Sequence, residues 1–343
     1  MPKLKYTITD KILHIIRQVG EAIGEIKSAN ITSSNLVILE HKARVLSSFA
    51  STSIEGNPLP LTDVKKLLKN SPKQIRDTQK EVINYNKALV YVNKKVKAEK
   101  FKLSHEEINY IQGIITDGLM ENGEDVGKYR KRPVIIRDPR SINDVRFIPP
   151  DHKDVVSLMD KLIDFINSNI GEIDPILLAG LFHKQHVIIH PFMDGNGRTT
   201  RIITTALLGS NGLDLFEIFS LENYYNQNVT KYFDYVGAIG DYYENAQNLD
   251  FTRWLEYFSE GILDELKRVQ KTLPQFVQPL RLEKHHRDIL KYIEKHGSIS
   301  QREYASISTR SLAARKQDFQ KLISLNLITA KDKGRAVYYI KNS

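Results

Sequence analysis

Residues 190–201, His-Pro-Phe-Met-Asp-Gly-Asn-Gly-Arg-Thr-Thr-Arg, constrain the fold more than any other stretch. Before them, Leu177, Leu178, Leu181 and Phe182 recur at helical spacing behind Asp174 and Pro175, a capping residue and a good first-turn residue. After them, Ile202 to Leu208 is helical again and stops at Gly209-Ser210-Asn211-Gly212. One helix must therefore end, the chain must turn through Gly195-Asn196-Gly197, and a second helix must begin. A glycine turn at a helix start exposes backbone N–H groups and lets an anion approach closely. Arg198 and Arg201 are three apart and share a face of the first turn. Two cations there oppose the helix dipole, a conflict that a bound polyanion removes, and guanidinium forks suit phosphate oxygens. Asp194 is a hard oxygen donor, and one carboxylate plus substrate phosphates is a common way to hold Mg2+. His190, with an ordinary pKa near neutrality, is the candidate general base. Gly-Asn-Gly alone is a mere turn; the whole constellation reads as a phosphate site with a base and a metal ligand beside it.

Most of the remaining chain carries a helical period. Helices are expected over 10–27 (capped by Asp10), 36–55, 61–69 (capped by Thr62), 74–99, 151–169, 219–237 and 250–273, the last holding the single tryptophan, Trp254. Ser104 and Glu107 form a capping-box pattern that opens another. The 36–55 helix ends at Glu55-Gly56-Asn57-Pro58, where Gly56 suits a left-handed residue. Ser51 and Glu55 share a face, and a carboxylate at a helix C-terminus is poorly placed unless a cation faces it. Residues 122–150 break the period with Gly123, Gly127, Pro133, Pro139, Pro149 and Pro150. Val134-Ile135-Ile136 and Val145-Arg146-Phe147-Ile148 flank a polar tip, predicting a β-hairpin that is either a surface feature or a flap over a site. His183, His186 and His190 fall three and four apart along one helix face. Spacing alone admits a metal, but no carboxylate completes it, so His183 and His186 read as buried, hydrogen-bonded helix residues.

A chain of 343 residues has room for two domains or three small ones. No run of eighteen apolar residues occurs, so no membrane span or membrane partner is expected, and the first residues lack the apolar core of a secretory signal. The absence of cysteine excludes disulfides and thiolate zinc sites and fits a cytoplasmic protein. A net charge of +9 suits polyanions, or is simply a lysine-rich surface. After an expected linker at 274–283, helices over 284–296, 300–306 and about 310–325 precede strands at 327–329 and 336–340 around Lys331-Asp332-Lys333-Gly334-Arg335. That order is a winged helix-turn-helix pattern. Leu312, Ala313, Phe319 and Leu322 form the third helix's core face; Arg310, Arg315, Lys316, Lys321, Lys331, Lys333 and Arg335 are candidate contacts to DNA phosphates. Such a domain serves DNA or a protein partner, a homodimer included, and the residues leave both open.

Residues 190–201 match, without departure, the signature of the Fic (filamentation induced by cyclic AMP) family, His-x-Phe-x-Asp/Glu-Gly-Asn-Gly-Arg-x-x-Arg, and the chain resembles that family. Ser51 to Gly56 resembles its inhibitory motif Ser/Thr-x-x-x-Glu-Gly/Asn, in the subclass with the inhibitory helix N-terminal in the same chain. Gly127-Lys128-Tyr129-Arg130 and the hairpin resemble its flap, and Tyr232-Phe233 its adenine-side Tyr-Tyr pair, with Phe in second place.

The resemblance covers about residues 1–260. It implies a mainly α fold: a Fic-type helical bundle with a β-hairpin flap at about 127–150, joined to a C-terminal winged helix-turn-helix. The domains would be an N-terminal helical region over 1–100 (inhibitory helix about 36–56), a core over 101–273, the linker, and the winged helix over 284–343. It implies an enzyme that moves AMP from Mg2+-bound ATP to a Ser, Thr or Tyr hydroxyl of a target protein, itself included. His190 would take the hydroxyl proton and Phe192 would anchor the loop. Asp194 would hold Mg2+, and Gly195, Asn196 (backbone and side chain) and Gly197 would form the anion hole. Arg198 and Arg201 would bind the β- and γ-phosphates, with Asn228 and Tyr232 as base-side candidates. Glu55 would occupy Arg201 and keep the resting enzyme weak, and Val134, Ile135 and Ile136 would pair with the target segment. Two other functions stay open: a DNA-binding regulator whose core senses nucleotide, and a phosphodiesterase that removes AMP using Glu55.

Overall fold

In the computed structural model the apolar stripes become helices that bury them. The structure describes every residue except 1–3, 30, 71, 73, 139, 140, 214, 216, 276–281, 325, 326, 333–336 and 343. The hairpin-tip residues Pro139 and Arg140, the linker residue Pro279, Leu325, and the wing residues Lys333, Gly334, Arg335 and Ala336 thus lie outside the described residues. Two compact units divide the chain, one of residues 1–26 and 37–271, the other of 27–36 and 272–343. Among the described residues no helix is long and apolar enough to cross a membrane.

In the first unit, α1 (Asp10–Ser28) buries Ile12, Ile15, Val19 and Ile26. Its cap is Thr9, whose Oγ1 accepts the Ile12 N–H at 3.2 Å; Asp10 lies inside the first turn. α2 (Ser33–Ile54) ends one residue before Glu55, and Gly56 follows at φ 92°. α3 (Leu61–Lys69) starts behind Pro60, with no side-chain cap, so Thr62 does not have the expected role. α4 (Asp77–Lys97) and α5 (His105–Thr116) follow. Ser104 accepts the Glu107 N–H, but the Glu107 carboxylate turns to Lys95 at 2.5 Å, so only half of the capping box forms.

The hairpin is β1 (Ile136–Asp138) against β2 (Ser141–Ile148), antiparallel with irregular register. Of the expected first strand only Ile136 is in it; Val134 and Ile135 precede it. α6 (Val155–Ser168), α7 (Pro175–Ile189) and α8 (Asn196–Ser210) come next. α7 is buried on nearly every face from Ile176 to His186 and lies along α8, so the turn between them starts from the middle of the core. The expected 219–237 helix is two, α9 (Leu221–Gln227) and α10 (Val229–Val236). They break at Asn228, whose side chain accepts the Lys231 N–H at 3.0 Å; Asn228 is a helix cap rather than a base-side residue. β3 (Gly240–Asp241) adds to β2 in parallel, a strand the sequence did not announce, before α11 (Tyr242–Asn245) and α12 (Thr252–Thr272).

The second unit contains α13 (Lys284–His296), β4 (Ile299–Ser300), α14 (Gln301–Ile307), α15 (Leu312–Ser324), β5 (Ile328–Lys331) and β6 (Tyr338–Lys341), with strand order β4-β6-β5. Its core gathers Ile289, Ile293, Ile299, Tyr304, Phe319, Leu322 and Ile328. Leu312 and Ala313 are exposed, not core, because α15 begins at Leu312 and only its later turns face inward. Arg310 is not an available phosphate contact: its Nε donates to the buried Asp318 at 2.8 Å. His285, His286 and Asp318 converge, but His286 Nδ1 accepts the Glu283 N–H at 3.1 Å, which leaves the proton on Nε2 facing Asp318. That tautomer shares a proton and cannot ligate a metal through Nε2.

Candidate active site

His190, the candidate base, has an unusual backbone. α7 ends at Ile189, and His190 is left-handed at φ 50°, ψ 60°, so it leaves the helix face that carries His183 and His186. A non-glycine residue in that region costs about 1–2 kcal/mol, which surrounding contacts must offset. Arg130 supplies them. Its Nε donates to His190 O at 2.8 Å, its Nη2 to Pro150 O at 2.5 Å and its Nη1 to Arg132 O at 3.2 Å, while its own N–H reaches Pro191 O at 2.8 Å. Phe192 is fully buried beside the rings of Tyr129 and His186 and pins the loop from beneath. His190 Nδ1 faces the Val187 carbonyl at 3.3 Å, so Nδ1 carries the proton and Nε2 keeps its lone pair. Burial pushes this imidazole down to about 4, with the Val187 carbonyl opposing, so it is neutral at pH 7.

The turn is held by its own side chains. Asn196 Oδ1 accepts the Phe192 N–H at 2.9 Å and its Nδ2 donates to Phe192 O at 2.8 Å. That side chain staples the loop through Oδ1 and one of its two Nδ2 protons. Gly195 caps α8 at φ 78°, and its N–H goes to Asp194 Oδ1 at 2.6 Å. The N–H groups of Asn196, Gly197 and Arg198 begin α8 and have no intrahelical acceptor.

The two arginines diverge. Arg198 turns back on Asp194, Nη2 lying 3.1 and 3.0 Å from the two carboxylate oxygens, and its Nη1 is 3.6 Å from Glu81. Its Nε and Nη1 are buried without a hydrogen-bond acceptor, a costly state for a guanidinium. Arg201 points to α2. It donates from Nε to Ser51 Oγ at 2.8 Å, from Nη2 to Ser51 O at 3.1 Å and to Glu55 Oε1 at 2.6 Å, and from Nη1 to Tyr232 OH at 3.4 Å. Arg201 is 2% exposed, whereas the Glu55 side chain is 30% exposed. Glu55 Oε1 also occupies the space where a side chain on Gly197 would begin, so only glycine fits there beside the ion pair.

A relay extends inward from Arg201. Tyr232 OH lies 3.0 Å from His183 Nε2, His183 Nδ1 lies 3.0 Å from Thr204 Oγ1, and Thr204 donates to Thr200 O at 2.7 Å. Since the threonine proton is committed, His183 must carry its proton on Nδ1 and accept from Tyr232. His186 Nδ1 meets Thr200 Oγ1 at 2.7 Å in the same way. Burial holds both histidines below the ordinary value, His186 at about 3, so both are neutral structural groups.

A cavity of about 220 Å³ gathers these groups, its wall including His190, Asn196, Gly197, Arg201, Glu55 and Tyr232. Phe233 and Ile136 also line it, while Val134 and Ile135 do not. Asp194, one residue before the Gly195-Asn196-Gly197 turn, has a side chain 56% exposed. As a hard, half-exposed carboxylate next to orphaned guanidinium donors it fits a magnesium ion shared with substrate phosphates. Sequence reasoning gave no role to Arg146, which lines this cavity, or to Lys184, Tyr225 and Glu222, which are buried in the same unit. Buried charge has no sequence signature of its own; for Arg146 the one clue was its place in a strand of otherwise apolar residues.

Residues 102–208 match the model of the Fic/DOC family. Two relatives named protein adenylyltransferase Fic bracket the similarity. That of Nematostella vectensis is 29% identical over 164 residues, 47% of this chain and 36% of that protein; that of Drosophila virilis is 24% identical over 297 residues, 84% and 56%. The chain thus spans between about a third and somewhat over half of the curated relatives' lengths. Among solved structures, a Fic family protein from Desulfovibrio desulfuricans G20 superposes with a TM-score of 0.66 at 20% identity, covering 99% of this chain and 98% of that one. A Fic domain containing signaling protein from Bacteroides thetaiotaomicron gives 0.63 at 19% identity, covering 78% and 99%. With the helical fold and the turn's geometry already described, these matches place a Fic/DOC-type domain at residues 102–208 and show that the chain shares the fold of the Fic proteins it superposes on.

Proposed function

We propose that the protein is an autoinhibited adenylyltransferase that moves AMP from ATP to a hydroxyl of a target protein. The observation that carries this is the position of Arg201: in one cavity wall with His190 and Gly197, and bonded there to Glu55, which lines the same cavity. The names of the relatives point the same way. His190 Nε2 takes the proton of a target Ser, Thr or Tyr hydroxyl. The freed oxygen attacks the α-phosphorus, the bond to the bridging oxygen breaks, and pyrophosphate leaves. The N–H groups at the start of α8 and the buried donors of Arg198 bind phosphate oxygens; Arg201 does so once Glu55 withdraws. Asp194 would hold the magnesium ion, whose role is to neutralise phosphate charge. The target segment pairs along β1, whose outer edge has no strand partner among the described residues.

The test is mass spectrometry of the chain and of lysate proteins after incubation with ATP and magnesium. AMP adducts that need His190 and grow with Glu55→Gly are expected; no adduct in either form overturns the proposal. Release of AMP from a pre-modified protein, dependent on Glu55, would instead favour the phosphodiesterase. The second unit supports a further reading as a winged helix, since a three-stranded sheet beside α15 leaves Lys316 exposed. Duplex binding that salt weakens and that removal of residues 284–343 abolishes is expected of a DNA contact; a change of mass in solution on the same truncation would mark a homodimer instead.

A further inference from the structure

The C-terminal end of α10 supplies Tyr232, Phe233 and Val236 to the cavity wall, with Gly237 just beyond it. Its last carbonyls have no donors inside the helix. The Gly237 N–H takes Phe233 O at 3.1 Å. Arg146, from β2, adds Nη2 to Phe233 O at 3.2 Å and pairs with Asp234 Oδ1 at 2.7 Å. Lys184, from α7, donates Nζ to Tyr235 O at 2.6 Å and to Gly237 O at 3.1 Å, with the Phe251 ring 5.7 Å away. Two buried cations from two different elements therefore hold one helix end, where the dipole is negative. Tyr232, Phe233, Val236 and Gly237 of that end form the cavity wall, together with Arg146 itself.

Lys184 is outside the cavity lining and has no ion pair with a carboxylate among the described residues. Burying a lysine without a carboxylate partner is costly, and here the return is two hydrogen bonds that fix the end of α10 at the cavity wall. Burial and the nearby Arg146 charge push Lys184 down to about 8 while Asp250 opposes, so the ammonium is still the main form at neutral pH. The fit around the helix end is close: a Cβ on Gly237 would meet Phe233 O at 2.9 Å.

We infer that Lys184, acting with Arg146, is a positioning residue for the nucleoside end of the bound nucleotide, fixing the wall of residues 232–237 against which the base and ribose pack. The inference rests on the nucleotide-binding reading above. It divides the cavity in two: triphosphate affinity belongs to α8 and Arg201, and nucleoside affinity to the clamped end of α10.

The experiment compares ATP with inorganic tripolyphosphate, each with magnesium, by calorimetry on the intact chain in a Glu55→Gly background. Losing a charge-assisted pair of hydrogen bonds in Lys184→Met is expected to weaken ATP about tenfold or more. Tripolyphosphate should be unchanged within about twofold. Lys184→Arg, which keeps a charged donor, should recover most of the ATP affinity. Arg146→Gln should reproduce the split if Lys184→Met fails to fold. Equal loss for both ligands, or undiminished ATP binding, overturns the inference. If the Glu55→Gly parent binds neither ligand, the nucleotide reading itself falls, and that outcome is distinct from the other two.

Discussion

Replacing Glu55 by glycine sets two effects against each other, and the structure gives the size of both. Arg201 makes four hydrogen bonds, of which Glu55 accepts one, and Glu55 is its only carboxylate partner among the described ion pairs. Breaking a fully buried pair costs about 3–5 kcal/mol. Here the carboxylate is 30% exposed, so water reaches the vacated side, and about 1–3 kcal/mol of stability is the better figure. The variant should therefore unfold a few degrees below the parent.

Activity should move the other way. On the proposed reading a γ-phosphate displaces Glu55 from Arg201, and releasing a competitor worth about 1.4–2.8 kcal/mol raises the rate about 10- to 100-fold. Ser51 and Tyr232 still hold the guanidinium in place, so the gain is not lost to a wandering side chain. The assay is the initial rate of labelled AMP transfer at subsaturating ATP, with Glu55→Ala to separate release from added backbone freedom and Glu55→Gln to separate charge from volume. Glu55→Gln keeps the oxygen beside Gly197 and should fall between parent and Glu55→Gly. If Glu55→Gly binds ATP yet transfers AMP no faster than the parent, the competition argument is wrong.

Other outcomes follow from neighbouring contacts. His190→Asn, chosen because asparagine tolerates the left-handed backbone, should keep the fold and lose transfer by about 10²-fold or more, measured in the Glu55→Gly background. Arg130→Met removes three side-chain bonds to backbone carbonyls and should cost about 3 kcal/mol or more, seen in urea midpoints, and lower kcat more than it raises KM for ATP. Acid should destabilise the chain above the range where carboxylates titrate. His183, His186 and His190 are held neutral by burial, while in the unfolded chain they regain the ordinary 6.5 and bind protons first. Stability is then full above pH 6.5 and falls toward pH 4, by about 2 kcal/mol at pH 5 for each of His186 and His190, with His183 acting in the same direction; a urea midpoint equal at pH 7.5 and pH 5 would contradict this.

The legible parts of the fold were those that local chemistry decides. Asp174-Pro175 and the glycine turn bound α7 and α8 as the residues demand, because caps, φ preferences and apolar periods act over a few positions. What stayed hidden depended on partners distant in the chain. Val134 and Ile135 have every mark of a strand, yet pairing starts at Ile136, since register is set by β2 and not by propensity. The 219–237 segment keeps a helical period across Asn228, but its side chain prefers to cap α10. In the site, which residue types cluster was visible; how they divide was not. Asn196 was expected as an anion donor; its bonds to Phe192 through both ends of its amide were not expected. The Glu55–Arg201 pair was expected from the resemblance, whereas the turn of Arg198 back onto Asp194 was not.

That division resolves the electrostatic conflict at the start of α8. Two guanidiniums against the positive end of a helix dipole need anions, and the chain provides them locally, Asp194 for Arg198 and Glu55 for Arg201. The two are not equally replaceable. Asp194 is four residues away on the same turn and moves with its arginine, whereas Glu55 reaches Arg201 from the end of a different helix, α2. A phosphate arriving at Arg201 therefore exchanges one anion for another and leaves the dipole balanced in both states. Because the exchange is an equilibrium, the coupling is reciprocal: whatever factor Glu55 takes from ATP affinity, bound ATP must take from the docking of Glu55. Hydrogen exchange of the amides of residues 52–56 reads the second half of that relation. Protection should fall on ATP binding in the parent by an amount matching the affinity gained in Glu55→Gly. Unchanged protection with ATP bound would mean that Glu55 restrains transfer by some means other than competing for Arg201.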